Sequence, residues 1–346
     1  MKSLAQLPAG VKRAVLAGTG NGVPPESIAV FVRWWQLETW LRTLAYIELR
    51  SRFGSNWGQE LGKAATNRAE RDLILQYMAS PDRGNPIAYL DVAGLFDLIE
   101  KHWDLFSPAL IPSLDTWKGR VAEVTTIRHR LAHCRRPHAD DRNRVEQLLR
   151  DLEVGIRRAI DAYNRLHRPA RTSTDPIVQD WLHQKHEVAR RLIDHGRKNY
   201  GISFHLGYSV RPWAQVPSSG GTISGTEGVL WQWHGGCDSW IDPVRYWNSH
   251  YVQSVAATIV HVVIPTPFRI NVTFPAVDDP VDVSDAIAAT FEALFTDTVR
   301  LTPATDPEKL WERHRRRAEE TDSRVLVENA LAYVDEDAPP LTFFSA

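Results

Sequence analysis

The stretch "TTIRHRLAHCRRPHADD", residues 125–141, gathers arginines and histidines in a chain whose formal net charge is only −1. Two of its side chains, Arg128 and His133, have types suited to chemistry and are separated by four residues. An imidazole titrates near neutral pH and can give or take a proton. A guanidinium holds a phosphate or a carboxylate through its planar fork of donors. The pattern therefore predicts a site that combines anion binding with proton transfer.

Arg128 occupies an unusual position on the helix predicted at residues 115–134. At about 100° per residue it falls inside the apolar stripe of that helix, which is formed by Trp117, Val121, Val124, Ile127 and Leu131. Because an unpaired buried ion costs several kcal/mol, Arg128 must face a buried carboxylate or line a cleft that receives an anion. Glu38, which points into the apolar sector of the first long helix, is one candidate carboxylate. Arg42 lies four residues after Glu38 and is an equally good partner for it.

His133 lies about 7.5 Å further along the helix than Arg128 and well around it in angle. One helix does not easily aim both side chains at a single small ligand. Two copies of the helix facing each other across a twofold axis bring two arginines and two histidines into one cleft. The alternative is an imidazole that stabilises a helix C-terminus, and Pro137 just beyond supports a helix end here.

The elements that position these residues are predicted to be helices throughout the first half of the chain. Hydrophobic periodicity, prolines and glycines predict helices at about 26–53, 64–79, 88–102, 115–134 and 140–167. Loops are predicted at "SPDRGNP" and "FSPALIPS". On the first helix, Phe31, Trp35, Ala45 and Leu49 share a face that is predicted to be buried in the core.

The composition changes after "RLHRPARTSTDP", so residues 168–176 are the predicted linker. A helix at about 177–199 precedes four strand-like segments, "GISFHLGYSV", "GVLWQWHG", "ATIVHVVIP" and "RINVTFP". Helices follow at about 284–300 and 307–332, and then an acidic tail. The predicted fold class is α+β: an all-α bundle over residues 1–168, then a mostly antiparallel sheet with flanking helices over residues 169–346.

Charge divides along the same boundary. Residues 1–168 hold 25 Lys plus Arg against 19 Asp plus Glu, whereas residues 169–346 hold 16 against 23. The basic half is therefore the candidate for meeting a polyanion, and the acidic half can compete for the same surface. With no secretory signal and no apolar stretch of membrane-spanning length, we expect a soluble, cytoplasmic protein.

The pattern "RHRLAH" on a late helix of an all-helical half resembles the signature of HEPN ribonucleases, an arginine followed by a polar residue and, after four to six intervening positions, a histidine. "RWWQLETWLR" resembles a first HEPN helix, with an acidic residue where Glu38 lies. The resemblance covers the first half of the chain, and residues 169–346 resemble no family. HEPN toxins that are controlled by modification carry a tyrosine two residues after the histidine, where this chain has Arg135, so that control is not expected.

The resemblance implies a homodimer, formed through the helical domain, that cleaves RNA without a metal or other cofactor. In that chemistry the ribose 2′-hydroxyl attacks the adjacent phosphate, which requires a base, a proton donor and cations. His133 is the candidate acid or base, Arg128 the phosphate ligand, His129 an assisting neighbour and Glu38 a supporting residue. Further phosphates of the RNA would be bound by Arg130, Arg135 and Arg136. The family implies a bacterial toxin or antiviral defence.

Two other clusters suggest alternatives for the second half. His183 and His186 could seat a metal on one helix face, but no third ligand is evident and no metal is predicted. Trp231 and Trp233 share one face of a strand. They could form a platform on which bases stack, or they could be packed in the core. The second half is therefore predicted to sense a trigger or bind a regulatory partner. The alternative for the whole chain is an inert HEPN-like binding module joined to a small-molecule sensor.

Overall fold

The computed structural model describes residues 9–75, 85–110, 112–218, 221–301 and 305–326. The first half is helical and the strands come later, which confirms the predicted α+β class. Helices of the first half are α1 (Ala9–Gly20), α2 (Pro25–Phe53), α3 (Gly62–Ile74), α4 (Val92–Lys101), α5 (Trp103–Leu110), α6 (Leu114–Ala132) and α7 (Asp141–Asn164). The second half contains the helices α8 (Glu187–Tyr200), α9 (Pro243–Trp247), α10 (His250–Ser254), α11 (Pro280–Thr296) and α12 (Pro307–Glu319). In the described ranges, no helix has both the length and the apolar character needed to cross a membrane.

The main sheet has five strands in the order β1-β2-β5-β4-β7. These are β1 (His205–Val210), β2 (Val229–Gly236), β4 (His261–Thr266), β5 (Arg269–Pro275) and β7 (Val325–Leu326), while β3 (Trp240–Ile241) and β6 (Thr298–Val299) form a separate pair. All pairings in the main sheet are antiparallel except β4 with β7. Each of the four predicted strand segments overlaps one of the strands β1, β2, β4 and β5.

The two faces of the sheet differ because side chains alternate along each strand. One face carries Trp231, Trp233, Val272 and Phe274, which are fully buried in a core shared with α11. The opposite face carries polar side chains and is covered by helices of the first half. There the Tyr163 hydroxyl of α7 lies 2.8 Å from Thr273 Oγ1. The sheet is thus a layer between two sets of helices.

A buried ion pair also joins the two halves of the chain. Arg211, just after β1, donates to both carboxylate oxygens of Glu48 on α2, at 3.0 and 2.6 Å. The same guanidinium donates to the Ala159 carbonyl of α7, and Trp213 Nε1 donates to Glu48. Every member of this network is satisfied, as burial of charge requires. The halves therefore meet through a specific contact, and the boundary at residue 168 stays a prediction.

The predicted core face of α2 is only partly correct. Ala45 and Leu49 are fully buried, but Phe31 and Trp35 are 52% and 54% exposed. The end of α2, residues 44–51, is buried on every side between the other helices and the sheet, whereas its beginning reaches past them. Because the last part of α2 is buried on every side, the helix has no single buried face along its whole length. A helical wheel drawn over all of α2 therefore places residues 31 and 35 wrongly in the core.

Several predicted boundaries need correction. The helix predicted at 177–199 is interrupted, because the π-helical turn Val178–Leu182 is followed by Gln184 with a φ of +51° before α8 begins. Residues 325–326 of the predicted helix 307–332 form β7, since α12 ends at Glu319. The predicted loop "FSPALIPS" begins inside α5, which continues through Pro108. Residues 76–79, most of the predicted loop 80–86 and the acidic tail lie outside the described residues.

Candidate functional site

The candidate site lies at the C-terminal end of α6. That helix begins at Ser113, whose hydroxyl accepts from the Thr116 amide at 3.3 Å. Its predicted apolar stripe packs inward as expected: Trp117, Val124 and Ile127 are buried. The stripe fixes the rotation of α6 about its axis and so decides which way the residues of the motif point.

The last turn of α6 ends in a Schellman motif. His133 caps the helix, the Cys134 amide donates to the Leu131 carbonyl, and the Arg135 amide donates to the Arg130 carbonyl. Cys134 has a φ of +51°, in the left-handed region that glycine usually occupies. The predicted helix end is therefore present, and His133 sits directly beside a constrained turn.

Arg130 ties the end of α6 to the start of α7. Its guanidinium donates to both carboxylate oxygens of Asp141, with Nε 2.9 Å from Oδ2, and the His138 amide donates to the same carboxylate. Burial alone would raise the pKa of the Asp141 carboxyl, but the hydrogen bonds from Arg130 and His138 lower it. Arg130, predicted to bind RNA, is thus engaged in holding the motif loop. Asp141 is not among the predicted site residues, although its place in the first turn of a predicted helix is a usable signal.

Arg128 is half-buried and has no hydrogen bond or ion pair with any residue that the structure describes. It lies close enough to Asp91, the N-cap of α4, to influence that carboxyl. The Gly94 amide, then Arg68 and Arg128, lower the pKa of Asp91 against the opposing effect of its burial. Asp91 itself is hydrogen-bonded to Gly94 and Arg68. The guanidinium of Arg128 is therefore available to an anion.

The hypothesis that Glu38 pairs with Arg128 is wrong, and the alternative partner is the one observed. Glu38 accepts from Arg42 at 2.5 Å and from Trp34 Nε1 at 2.8 Å. Both partners lie four residues away on α2, where side chains of one helix face meet. Arg42 also donates to the Leu90 carbonyl, so Glu38 and Arg42 together connect α2 to the segment that precedes α4.

His129, His133, Arg135 and Arg136 are exposed, and their side chains form no hydrogen bond within the described part of the chain. Together with Arg128 they form a set of available cations and imidazoles at one end of α6. Helical geometry separates positions 128 and 133 by about 7.5 Å along the axis and about 140° around it. A single copy therefore does not direct both side chains at one point.

No family model, curated protein or solved structure matches this chain. The resemblance to HEPN ribonucleases accordingly rests on the residues of the motif and on the helices that carry them.

The other sequence candidates have ordinary places in the structure. Trp231 and Trp233 are 1% and 0% exposed, and Trp233 Nε1 donates to Thr290 Oγ1 at 3.0 Å. They pack in the core beneath α11 and offer no stacking platform. Among the described residues, no group of His, Cys, Asp and Glu has an arrangement that could hold a metal ion, His183 and His186 included.

Proposed function

We propose that this chain is a metal-independent endoribonuclease of the HEPN type that works as a homodimer. One observation carries the proposal. At the end of α6 a half-buried guanidinium, Arg128, has no hydrogen-bond partner among the described residues and shares that helix end with exposed imidazoles. Buried or half-buried arginines are normally paired, as Arg211 and Arg42 are here. An available Arg128 is consistent with a binding site for phosphate.

The proposed reaction is an in-line displacement at a phosphodiester. A base removes the proton of the ribose 2′-hydroxyl, the O2′–P bond forms, the P–O5′ bond breaks, and a proton donor protonates the departing 5′-oxygen. Imidazoles suit both proton transfers because they exist in both forms near neutral pH. His133 acts as the acid or the base and His129 assists it. Arg128 stabilises the negative charge that grows on the phosphate oxygens. The products are a 2′,3′-cyclic phosphate and a 5′-hydroxyl.

Two copies are needed because of where the residues lie on α6. A single helix directs Arg128 and His133 in different directions, whereas a twofold axis beside the helix end brings the His133 of one copy towards the Arg128 of the other. The exposed Arg135 and Arg136 then flank the shared cleft and bind further phosphates of the RNA. DNA is not a substrate in this mechanism, since it lacks the 2′-hydroxyl.

The proposed setting is the cytoplasm of a bacterium, in a toxin or antiviral defence system that cleaves cellular or phage RNA. An inert HEPN-like binding module is the alternative. Burial of His133 against its own domain would have favoured that alternative, and His133 is exposed.

The test is cleavage of a mixed RNA pool in EDTA by the wild type, Arg128→Ala and His133→Ala. We expect each substitution to lower the cleavage rate by roughly 100-fold or more, because it removes charge stabilisation or acid–base catalysis. Arg157→Ala is the matched control: Arg157 is an exposed arginine on α7 that pairs with Glu153, away from the motif. Its rate should match that of the wild type.

Two further measurements are needed: the chemical ends of the RNA products and the folding of each variant. Cyclic phosphate ends, with unchanged circular dichroism of all variants, support the mechanism. Cleavage that survives in both motif variants, or that EDTA abolishes in the wild type, contradicts it.

A further inference from the structure

A cavity of about 840 Å³ lies where the chain leaves α7 and enters the sheet. Its walls are the segment 166–169, which follows α7, the segment 204–207 at the start of β1, His234 of β2, and Arg171, Leu182 and His183 from the region before α8. Volumes of roughly 300–1,000 Å³ are typical of sites for small molecules. The cavity is therefore large enough for a ligand of that size.

Half of the residues around this cavity have basic side chains. Four histidines and two arginines contribute to its lining, and no carboxylate does: His167, Arg168, Arg171, His183, His205 and His234. These basic side chains lie in the acidic half of the chain or directly before it, although that half has more acidic than basic residues. A concave surface lined by one sign of charge attracts a ligand of the other sign.

The two arginines have no polar partner among the described residues. Arg168 and Arg171 are exposed and form no hydrogen bond or ion pair with the residues that the structure describes. Two arginines elsewhere in the second half are engaged instead: Arg317 pairs with Asp242 and Arg324 with Asp322. The guanidinium groups at this cavity are free to bind two oxygens of an anion each.

Two imidazoles stack on each other at the cavity. His205 on β1 and His234 on β2 are cross-strand neighbours, and their ring centroids lie 5.0 Å apart with an angle of 18° between the planes. His234 Nδ1 is buried and has no hydrogen-bond partner among the described atoms. Burial, together with the charges of His205 and Arg168, lowers the pKa of His234. The pair thus offers an aromatic surface next to cations, and Phe204 adds an apolar edge.

The backbone of β1 adds a donor at the same place. Tyr208 exchanges both backbone hydrogen bonds with His167, at 2.7 and 3.0 Å, along the edge of β1 that faces away from β2. Because backbone groups alternate in direction, the amide of Leu206 points to the same edge, and Leu206 lines the cavity. Outside the strand ladders, no backbone hydrogen bond from this amide is found among the described residues, so it can donate to a ligand.

We propose that this cavity binds a nucleotide, with its phosphates on Arg168 and Arg171 and its base against the His205 and His234 rings. Free guanidinium groups and an edge amide suit phosphate oxygens, whereas stacked imidazoles and Phe204 suit a flat heteroaromatic ring. The proposal is independent of ribonuclease activity, because binding alone defines this site.

The position of the site also gives it a physical connection to the motif. The cavity wall begins two residues after α7 ends at Asn164, and the other end of α7 carries Asp141, which Arg130 holds. One helix of 24 residues therefore links the two places.

The test is isothermal titration calorimetry on the full chain with ATP, AMP, inorganic pyrophosphate and adenosine. We expect saturable binding of ATP by the wild type, and weaker binding of pyrophosphate and adenosine, which each lack half of the ligand. Arg168→Ala and Arg171→Ala should each weaken ATP binding roughly tenfold or more, the usual effect of losing a charged hydrogen bond. His205→Ala should weaken ATP binding and leave pyrophosphate binding unchanged.

Arg165→Ala is the matched control. Arg165 is exposed in the same segment but does not line the cavity, so this variant should bind ATP within about twofold of the wild type, as surface substitutions usually do. Absence of saturable ATP binding at millimolar concentration overturns the proposal. An equal loss in Arg165→Ala and Arg168→Ala also overturns it, since that result indicates general charge attraction. Equal affinity for pyrophosphate and ATP overturns the role assigned to the rings.

Discussion

At the scale of single residues, the motif is held by a turn in an unfavourable conformation. Cys134 occupies the left-handed position of the Schellman motif, where a side chain costs about 1–2 kcal/mol relative to glycine. Its conformation is maintained because the amides of Cys134 and Arg135 satisfy the last carbonyls of α6. The strain lies one residue from His133, the candidate acid or base, so it is stored where orientation matters most.

Replacing Cys134 with glycine should therefore stabilise the fold. We expect Cys134→Gly to raise the free energy of unfolding by about 0.5–1 kcal/mol. The backbone strain that the substitution removes is worth more than the extra conformational entropy that glycine loses on folding. Urea denaturation followed by circular dichroism measures the change. Ala122→Gly, at an exposed position inside α6, is the control and should lower stability by about 1 kcal/mol. Destabilisation by both substitutions would show that the turn is not strained.

At the scale of elements, the end of α6 is joined to the start of α7 by a buried charged contact, whereas the other ion pairs between the two helices, Arg144 with Glu123 and Arg120 with Asp151, are more exposed. Asp141 is buried, and the structure gives it Arg130 as its cationic partner and the His138 amide as a further donor. Loss of Arg130 leaves a buried carboxylate with only part of its hydrogen bonds. The contact positions the segment 133–140, and with it His133, Arg135 and Arg136.

Arg130→Ala should therefore act through the fold. We expect it to lower the free energy of unfolding by about 2 kcal/mol, the usual effect of removing a hydrogen bond to a buried charge. Arg136→Ala, an exposed neighbour without a described partner, should change stability by less than about 0.5 kcal/mol. Denaturant titration of both variants separates the two roles. Equal stability of Arg130→Ala and the wild type would return Arg130 to the set of residues available to RNA.

The helices and strands differ in how well the sequence predicted them. Hydrophobic periodicity and the positions of proline and glycine predicted α2, α3, α4, α6 and α7, the four strand segments and the end of α6, because those signals are local. They did not predict α1 or α5. The exposure of Phe31 and Trp35 could not be predicted, since it depends on which neighbours cover α2. Strand β7 has only two residues and exists because β4 offers an edge. The cavity lining comes from positions 166 to 234 and is assembled only by the fold.

At the scale of the whole molecule, the two halves are joined by polar contacts in a buried layer. Glu48 and Arg211 form an ion pair and are 0% and 1% exposed, and neighbouring contacts link α7 to the sheet. Such contacts require exact geometry to compensate for lost hydration. They therefore fix the orientation of the helical half on the sheet, and through it the direction from the cavity to the end of α6.

His261 belongs to this layer and makes the junction sensitive to acid. Its ring is buried, and its Nδ1 lies 3.1 Å from the Tyr163 hydroxyl. Burial, and then the charges of Arg324, Arg50 and Arg211, lower the pKa of His261 to about 3. In the unfolded chain a histidine has a pKa of about 6.5, so the unfolded state binds the proton more readily. The contribution of neutral His261 to the stability of the fold is therefore fully present above pH 6.5, and it is lost as the pH falls from there towards 3.

The wild type should therefore lose more stability on acidification than His261→Gln, which cannot take up a proton. Between pH 6.5 and 5 the extra loss should be about 2 kcal/mol, at about 1.4 kcal/mol per pH unit for one proton. Urea denaturation of both proteins at several pH values gives the two slopes. His314, whose pKa burial also lowers, remains in both proteins, so it contributes equally to both and cancels in the comparison. Identical slopes would mean that His261 is protonated in the folded protein, and the layer between α7 and the sheet would then have to admit water or an anion.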